Sequence, residues 1–304
     1  IWAIQFGFRS NFGTNDFLFM IRRYIENATT SKCTPLYILA LDWGKAFDSV
    51  APERLCDALR RFGIPPEVCK LIRNIYSNRL FQITQNRVTS QLHPQAFGIS
   101  QGCPLSPFLF SILMTVILYD CRNGLPEDCK NIRELLYADD TLLIGTYSAD
   151  VQLYMDTIAA EGRKYGLLLN HDKLELLWIN GNDNIYDPDG GEIQCKTTMK
   201  YFATDGIYAE LCARIGMAKQ EFLALERIWK HTNISQQRKV QLYQACIVSK
   251  LLYGLQSAWL GKIHRAKLDG LHYRCLWRIA RIRYLYYSRI SNAEVLRITG
   301  CRPL

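Results

Sequence analysis

Two short apolar runs of strand length stand out in the first half of the chain. Residues 36–42 read Leu-Tyr-Ile-Leu-Ala-Leu-Asp, and residues 135–145 read Leu-Leu-Tyr-Ala-Asp-Asp-Thr-Leu-Leu-Ile-Gly. Short continuous runs of this kind are typical of buried strands. Two aspartates interrupt the second run, which predicts a β-hairpin with Asp-Asp at its tip.

Apolar residues three and four positions apart predict helices on both sides of these strands. Residues 107–119 are apolar almost all round, which indicates a buried helix that begins at Pro107. The other predicted elements of the first two thirds are helices over residues 14–27, 52–62, 67–77 and 150–165, and strands within 80–97 and 167–179. The last third is predicted to contain helices over residues 207–229, 235–260 and 263–282.

The turn-rich segment 181–192 marks the predicted boundary between two lobes. Residues 1–192 mix strands and helices, whereas residues 193–304 are predicted to be helical. The fold class is therefore α+β, followed by an all-helical domain. A chain of 304 residues can bury a core in each lobe, and no run of 18 uncharged apolar residues predicts a membrane span.

The net charge of +9 is distributed unevenly. Lys and Arg outnumber Asp and Glu by 17 to 4 in residues 211–304, whereas residues 1–210 hold 20 basic and 24 acidic residues. The interleaved aromatic residues are Trp229, Tyr243, Tyr253, Trp259, Tyr273, Trp277, Tyr284, Tyr286 and Tyr287. This basic, aromatic-rich third predicts contact with nucleic acid through its phosphates. The alternative is an ordinary solvated helical surface.

The eleven cysteines contain no C-x-x-C pair. This spacing argues against zinc knuckles and against a disulfide framework. A chain that keeps so many free thiols fits a reducing intracellular compartment.

Three aspartates are the strongest candidates for chemistry. Asp42 ends the first apolar run, and Asp139 and Asp140 lie within the second. Adjacent carboxylates at the edge of a core repel one another unless a cation lies between them. If the two strands are neighbours, the three carboxylates converge and can hold two Mg²⁺ ions for in-line phosphoryl transfer. The alternative for the Asp pair is a solvated hairpin turn.

Several motifs resemble those of reverse transcriptases. Residues 137–140, Tyr-Ala-Asp-Asp, resemble the catalytic hairpin of that family, and residues 41–50 resemble the motif LDFEKAFDSV of the non-LTR (LINE-type) retrotransposon enzymes. Further similarities are residues 5–16 to QxGFRxGxGTxD, residues 98–110 to QGCPLSP and residues 166–173 to GLxLNxxK. The matches follow the family's order along the chain, from residue 5 to about residue 302.

The resemblance implies a right-hand polymerase. Residues 1–192 would form partial fingers and a palm with an antiparallel sheet, and residues 193–304 a primer-grip segment and a basic helical thumb. The implied reaction transfers a dNMP to the 3′-OH of a DNA primer on an RNA template. Two Mg²⁺ ions, with Mn²⁺ as a substitute, would be held by Asp42, Asp139 and Asp140. The dNTPs are the third partner, no membrane is involved, and the implied location is nuclear.

For each of the other motif residues, the resemblance implies a functional role, and an ordinary structural role is the alternative. Phe47 would be a steric gate that excludes the ribonucleotide 2′-OH, or a core side chain. Gln101 and Gly102 would pack against the incoming nucleotide and template base, or form an ordinary turn. Lys173 would be a general acid for pyrophosphate, or a surface lysine. Arg9 would contact template or triphosphate, or pair with an acidic neighbour.

The sequence also departs from the family pattern. Trp43-Gly44 replaces Phe-Glu, and residues 200–206 resemble the primer-grip motif KYLGxxIxxDG but are several residues shorter. The chain begins inside the fingers motif, so the upstream fingers strands and any endonuclease domain are expected to lie outside it. Two alternatives stay open, a catalytically dead nucleic-acid-binding remnant and a reverse transcriptase of the group II intron maturase type.

Overall fold

The structure is a computed structural model that describes residues 3–31, 33–196, 198–199, 202–203, 206–231, 233–282 and 288–304. The chain divides into two compact units, Ile1–Met199 and Lys200–Leu304, and each has its own apolar core.

A four-stranded antiparallel sheet forms the centre of the first unit. Its strands are β1 (Leu36–Leu41), β6 (Arg133–Tyr137), β7 (Asp140–Gly145) and β8 (Glu175–Ile179), in the order β6-β7-β1-β8. The central strand β1 is buried along its length except at Ala40, which is half-buried. This burial explains why its sequence is continuously apolar instead of alternating. The predicted strand over 36–42 and the hairpin over 135–145 are confirmed.

The helices of the first unit are α1 (Thr14–Ser31), α2 (Ala46–Ser49), α3 (Pro52–Phe62), α4 (Pro66–Tyr76), α5 (Ser106–Gly124) and α6 (Ser148–Lys164). Helices α1 and α6 contact strands of the sheet, α3 contacts α5, and α4 contacts α3. The bounds of α3 are those predicted, because Pro52 lies in its first turn and Gly63 ends it with a φ of 95°. Helix α5 passes through the core and extends five residues beyond the predicted end at Tyr119.

Residues 80–97 form two short ladders. Strand β2 (Leu80–Phe81) pairs with β5 (His93–Pro94), and β3 (Thr84–Gln85) pairs with β4 (Val88–Thr89). The residues of all four strands are exposed. The predicted strand pair is therefore a hairpin interrupted by unpaired residues.

A buried ion pair links strand β6 to helix α5. Its acidic residue directly precedes the apolar run that begins at Leu135. Glu134 of β6 is fully buried, and Arg122 of α5 donates to both of its carboxylate oxygens. Tyr154 of α6 donates its hydroxyl to the same carboxylate, and burial is the main cause of the raised pKa of Tyr154. This cluster links β6 to two helices, and the full pairing offsets the cost of burying a charge.

The segment after α6 contains one of the predicted strands, β8, together with the 3₁₀ turn His171–Lys173. Residues 181–192 fold within the first unit, where Ile185 is fully buried and accepts a hydrogen bond at 2.9 Å from the backbone N–H of Ile193. The short strand β9 (Thr198–Met199) follows. The assignment of residues 1–192 and 193–304 to palm and thumb stays a prediction.

The described residues of the second unit contain the short strand β10 (Phe202–Ala203) and several helices. Its helices are α7 (Gly206–Ala224), α8 (Glu226–Lys230), α9 (Gln236–Tyr243), α10 (Ser249–Leu252), α11 (Lys262–Ile279) and α12 (Asn292–Thr299). A π-helical turn, Gln244–Val248, joins α9 to α10. The predicted helix over 207–229 is broken at Leu225, and the one over 235–260 ends at Leu252, before Gly254 adopts a φ of 73°.

Most of the shortened primer-grip segment and the tyrosines 284, 286 and 287 lie outside the described residues. In the part of the chain that the structure describes, none of the helices has the length and apolarity needed to cross a membrane.

Candidate active site

The antiparallel register brings the three candidate aspartates to one edge of the sheet. Leu41 at the end of β1 pairs with Thr141 near the start of β7. Asp42 follows Leu41 directly, and Asp140 precedes Thr141. Asp139 lies in the two-residue turn that joins β6 to β7, because Tyr137 pairs with Asp140. All three aspartates are half-buried.

The hairpin tip differs from the prediction. The turn consists of Ala138 and Asp139, whereas Asp140 is already part of β7. Ala138 adopts a φ of 59°, a left-handed conformation that residues with a side chain rarely occupy. The prediction of Asp-Asp at the tip was wrong by one residue, because the closing pair of the ladder, not the position of the charges, sets the turn.

Lys173 contacts one of these carboxylates. Its Nζ lies 3.2 Å from Oδ2 of Asp42, whose side chain is 31% exposed. The backbone N–H of Asn170 also donates to the carbonyl of Asp42 at 2.8 Å, so the turn that carries Lys173 is anchored to the end of β1. Lys173 is exposed, but it lies at the candidate site and is not an isolated surface lysine.

The donor chemistry of the three aspartates fits Mg²⁺, which prefers a few carboxylate oxygens completed by water and phosphate. Among the described residues, however, no three or more histidine, cysteine, aspartate or glutamate side chains are arranged to hold a metal ion. The ammonium of Lys173 instead provides the positive charge beside Asp42. A divalent ion at this edge would have to share or replace that contact.

Trp43 fits into the core because a glycine faces it. The indole is buried and donates at 3.4 Å to Oγ1 of Thr141, next to Asp140. A Cβ atom added to Gly162 of α6 would lie 2.7 Å from the indole ring. The departure from the family's Phe at this position is therefore accommodated by Gly162, which the sequence analysis did not single out.

Phe47 packs on the core helix α5. Its ring stacks on that of Phe110, with centroids 4.9 Å apart and an interplanar angle of 17°. Its backbone carbonyl accepts a hydrogen bond at 2.7 Å from the N–H of Ile99, which leads into the Gln101 loop. The contacts are those of the core alternative, and the role as a steric gate stays a prediction.

The Gln101 loop is held against α2. Nε2 of Gln101 donates to both carboxylate oxygens of Asp48, at 3.2 and 3.3 Å. Gly98, which precedes this loop, lies close to the backbone of α2: an added Cβ would be 2.8 Å from the carbonyl oxygen of Asp48. Gly102 has open space around it and needs glycine for its φ of 84°. Contact of this loop with a nucleotide stays a prediction.

Arg9 folds back onto its own loop. Its Nη1 donates to the carbonyls of Ala3 and Gln5, at 2.9 and 3.2 Å, and its guanidinium lies 4.5 Å from the centroid of the Phe12 ring. These contacts brace the segment that runs beside β6. A contact of Arg9 with template or triphosphate stays a prediction.

Gln5 is a residue of the fingers motif to which the sequence analysis gave no role of its own. Its side chain is buried and contacts the backbone of Ala138 in the hairpin turn. The available signal was a polar residue between Ile4 and Phe6, in a segment that reads as a short buried strand.

Basic side chains occupy exposed positions of the second unit. Arg274 and Arg278 are exposed on α11, one turn apart and on the side of the helix that also carries Lys267. Three of the four acidic residues after residue 210 form ion pairs, namely Glu221 with Lys250, Glu226 with Lys230 and Glu294 with Arg297. The basic residues thus remain in large excess on this unit.

The fold is that of a palm-and-fingers polymerase. It is similar to the telomerase of Candida albicans, with a TM-score of 0.50 and 13% identity over 96% of this chain and 55% of that one. The sequence places it more narrowly: the chain belongs to the family described as reverse transcriptase (RNA-dependent DNA polymerase), whose profile matches residues 1–222. Members of this family generally use divalent metal ions such as Mg²⁺.

Two relatives carry the same element name. The chain is 34% identical over 142 residues to the Pol polyprotein of retrotransposable element R2 from Nasonia vitripennis, which covers 45% of this chain and 14% of the relative. It is 26% identical over 300 residues to an R2 Pol polyprotein from Popillia japonica, covering 93% of this chain and 48% of the relative. The chain thus spans less than half the length of these relatives. The resemblance to non-LTR retrotransposon proteins is confirmed.

Proposed function

We propose that this chain is the RNA-directed DNA polymerase portion of a non-LTR retrotransposon protein. It would extend a DNA primer on an RNA template. The observation that carries the proposal is the register of β1 and β7, which brings Asp42, Asp139 and Asp140 to one edge of the sheet. Family membership supports the same reaction.

In the proposed reaction the 3′-oxygen of the primer forms a bond to the α-phosphorus of a dNTP. The bond from that phosphorus to the bridging oxygen breaks, pyrophosphate leaves, and the 3′-hydroxyl loses its proton. Two Mg²⁺ ions held by Asp42, Asp139 and Asp140, or Mn²⁺ in their place, would activate the attacking oxygen and stabilise the leaving one. The half-buried position of the carboxylates limits competing hydration.

Lys173 is the proposed general acid. Its ammonium lies on Asp42, at the same edge as the carboxylates, and it is exposed enough to meet a triphosphate. A proton transferred from Nζ to the leaving oxygen would neutralise charge as pyrophosphate forms. The same ammonium stabilises that charge electrostatically before the proton moves.

Phe47, Gln101 and Gly102 are the proposed nucleotide-binding residues, and Arg9 is proposed to contact template or triphosphate. Phe47 is held by Phe110 and by the backbone of Ile99, so its ring has a fixed position. A fixed ring is what steric discrimination against a 2′-OH requires. The Asp48 carboxylate holds the Gln101 side chain in the described structure, and nucleotide binding would compete with that pair.

RNA template and DNA primer are the proposed partners of the basic second unit. The excess of 17 basic over 4 acidic residues in 211–304 supports a grip on phosphates. The telomerase of similar fold was solved in complex with a fragment of telomeric RNA. The proposed site of action is nuclear, since a retrotransposon that primes on chromosomal DNA must reach it.

The test is incorporation of dNMP on a primed RNA template with Mg²⁺. Asp139→Asn should reduce the rate by at least about 10³-fold, since a ligand carboxylate is lost at the point where charge develops. RNA binding, measured by fluorescence anisotropy, should stay unchanged. Asp57→Asn is the control, because that carboxylate is 44% exposed on α3 and pairs with Arg54 and Arg60 of the same helix.

Incorporation by Asp139→Asn within a few-fold of the parent would contradict the metal assignment. Salt-dependent RNA binding by the parent, without any incorporation, would instead support the alternative of a nucleic-acid-binding remnant.

A further inference from the structure

The segment before α1 extends the sheet beside the catalytic hairpin. The backbone N–H of Leu136 donates to the carbonyl of Ile4 at 3.1 Å, and that of Phe6 donates to the carbonyl of Leu136 at 2.8 Å. These are the bonds of a short parallel pairing between Gln5 and Leu136 of β6. The backbone pairing ends there, two residues before the turn.

The side chain of Gln5 continues the pairing where the backbone stops. Its Oε1 accepts from the backbone N–H of Ala138 at 3.0 Å, and its Nε2 donates to the carbonyl of Ala138 at 3.3 Å. Oε1 also accepts from the N–H of Gly7 at 2.8 Å. An amide carries a donor and an acceptor, so Gln5 can satisfy both backbone groups of one residue.

Ala138 needs such a partner. It is the first residue of a two-residue turn, it is buried, and its φ of 59° is unfavourable for alanine. Its N–H and carbonyl are outside the ladder that Tyr137 and Asp140 close. Buried backbone groups without a partner are costly, so the amide of Gln5 stabilises this conformation over others.

Two neighbours of Gln5 allow the contact. A Cβ atom added to Gly7 would lie 2.3 Å from the nitrogen of Ala138, so only glycine lets the segment approach the turn this closely. Arg9 holds the carbonyls of Ala3 and Gln5 from the other side. The segment is therefore built to hold the turn.

We propose that Gln5 is a positioning residue for the polymerase reaction, acting through Ala138 on the carboxylate of Asp139. The inference rests on the proposed function, because it explains the buried amide of Gln5 by the position that the catalytic aspartates require. Gln5 touches neither substrate nor metal ion in this role. It determines where the turn, and with it Asp139, lies relative to Asp42.

The chain contains a matched control. Gln152 of α6 makes the same two-sided pair with the backbone of Tyr186, donating to its carbonyl at 2.8 Å and accepting from its N–H at 2.7 Å. Gln152 and Tyr186 are outside the candidate site. Replacing each glutamine by methionine, which has similar length but no amide, removes the same kind of interaction at two places.

Hydrogen exchange of the full chain tests the contact without any assumption about activity. In Gln5→Met, amides of residues 138–141 should exchange about tenfold faster or more, because Ala138 loses its partner. In Gln152→Met these amides should exchange as in the parent, while those near Tyr186 become faster. Unchanged exchange at 138–141 in Gln5→Met would overturn the inference.

Steady-state incorporation with Mg²⁺ tests the consequence. Gln5→Met should lower kcat by about 10²-fold with a small change in the KM for dNTP, since a displaced carboxylate affects the reaction more than binding. Gln152→Met should keep the parent kcat. A parental kcat in Gln5→Met would overturn the positioning role even if exchange becomes faster.

A parent chain that incorporates nothing would count against the proposed function, and exchange at 138–141 would still decide whether Gln5 holds the turn. If Gln5→Met does not fold, Gln5→Glu keeps the acceptor oxygens and loses the donor to the Ala138 carbonyl. Exchange at 138–141 should again become faster and kcat lower, and parental exchange and kcat would overturn the inference.

Discussion

The candidate catalytic groups of the first unit lie at one edge of its sheet, whereas the basic residues of the second unit are spread over a surface. The strand register places Asp42, Asp139 and Asp140 at that edge, and Lys173 contacts Asp42. The basic residues after position 210 are distributed over several helices. Removal of one side chain from a convergent site should therefore abolish most of the activity. Removal of one charge from a distributed surface should weaken RNA binding by only a small step.

After loss of the Asp139 carboxylate, the next largest effect in the first unit should come from Lys173→Met. We expect kcat for incorporation to fall by about 10²-fold, because the proposed general acid for pyrophosphate is lost, while RNA affinity stays unchanged. Steady-state incorporation measures kcat, and fluorescence anisotropy measures the RNA affinity.

Lys196→Met provides the matched control for this change. Lys196 forms an equivalent pair with Glu175, Nζ to Oε1 at 2.6 Å, and its side chain is 45% exposed. Lys196→Met should keep the kcat of the parent. A parental kcat in Lys173→Met would return that residue to the surface-lysine alternative.

A graded effect is expected on α11 of the second unit. Removing two charges by Arg274→Gln and Arg278→Gln should weaken RNA binding and reduce the slope of log affinity against log salt by about 1 per residue. The value of kcat at saturating template should change little. Binding titrations over a salt series give the slope.

The comparison for α11 is the pair Arg54→Gln and Arg60→Gln on α3. Both residues form ion pairs with Asp57 in the first unit. Their substitution removes the same number of positive charges from a different surface. An equal loss of slope in this variant would mean that total charge, not the surface of the second unit, governs binding.

The smallest effect concerns stability and pH in the core of the second unit. Burial is the main cause of the lowered pKa of His272, which bonds to the Tyr243 hydroxyl and the Arg302 carbonyl, each at 3.0 Å. The unfolded chain takes up this proton near pH 6.5, whereas the folded state resists it to lower pH. The contribution of His272 to the free energy of unfolding is therefore complete above about pH 6.5. Below that pH it decreases, by at most about 1.4 kcal/mol per pH unit.

Urea unfolding at pH 7.5 and 5.5 measures this dependence. His272→Gln should lower stability at pH 7.5 and flatten the dependence, whereas His231→Gln, at an exposed histidine, should keep the parental profile. If His272→Gln keeps the parental pH dependence, that dependence arises from other groups.

The sequence predicted those elements whose signals are local. Helix α3 has the predicted bounds because Pro52 and Gly63 act on their own backbone. The strands β1 and β7 were recognised because continuous apolar runs are buried on both faces. Their pairing in one sheet, with Leu41 opposite Thr141, was expected and is observed.

The missed features depend on residues far apart in sequence. Gln5 and Ala138 are 133 positions apart, so nothing local marks the glutamine as the partner of the turn. Glycine is required at position 162 because the Trp43 indole lies against it. Glu134 can be buried because Arg122 neutralises its charge and Tyr154 donates a hydrogen bond to it. The hairpin tip was placed one residue late because its closing pair depends on strand register.

The sequence by itself determined the composition of the elements, the family motifs and the concentration of positive charge in the last third, since these are properties of neighbouring residues and of counts. Only the tertiary structure decided which carboxylate meets Lys173, which glycine admits Trp43 and which amide holds the turn before Asp139. Those outcomes depend on distances between segments, which packing sets to within a fraction of a side-chain length.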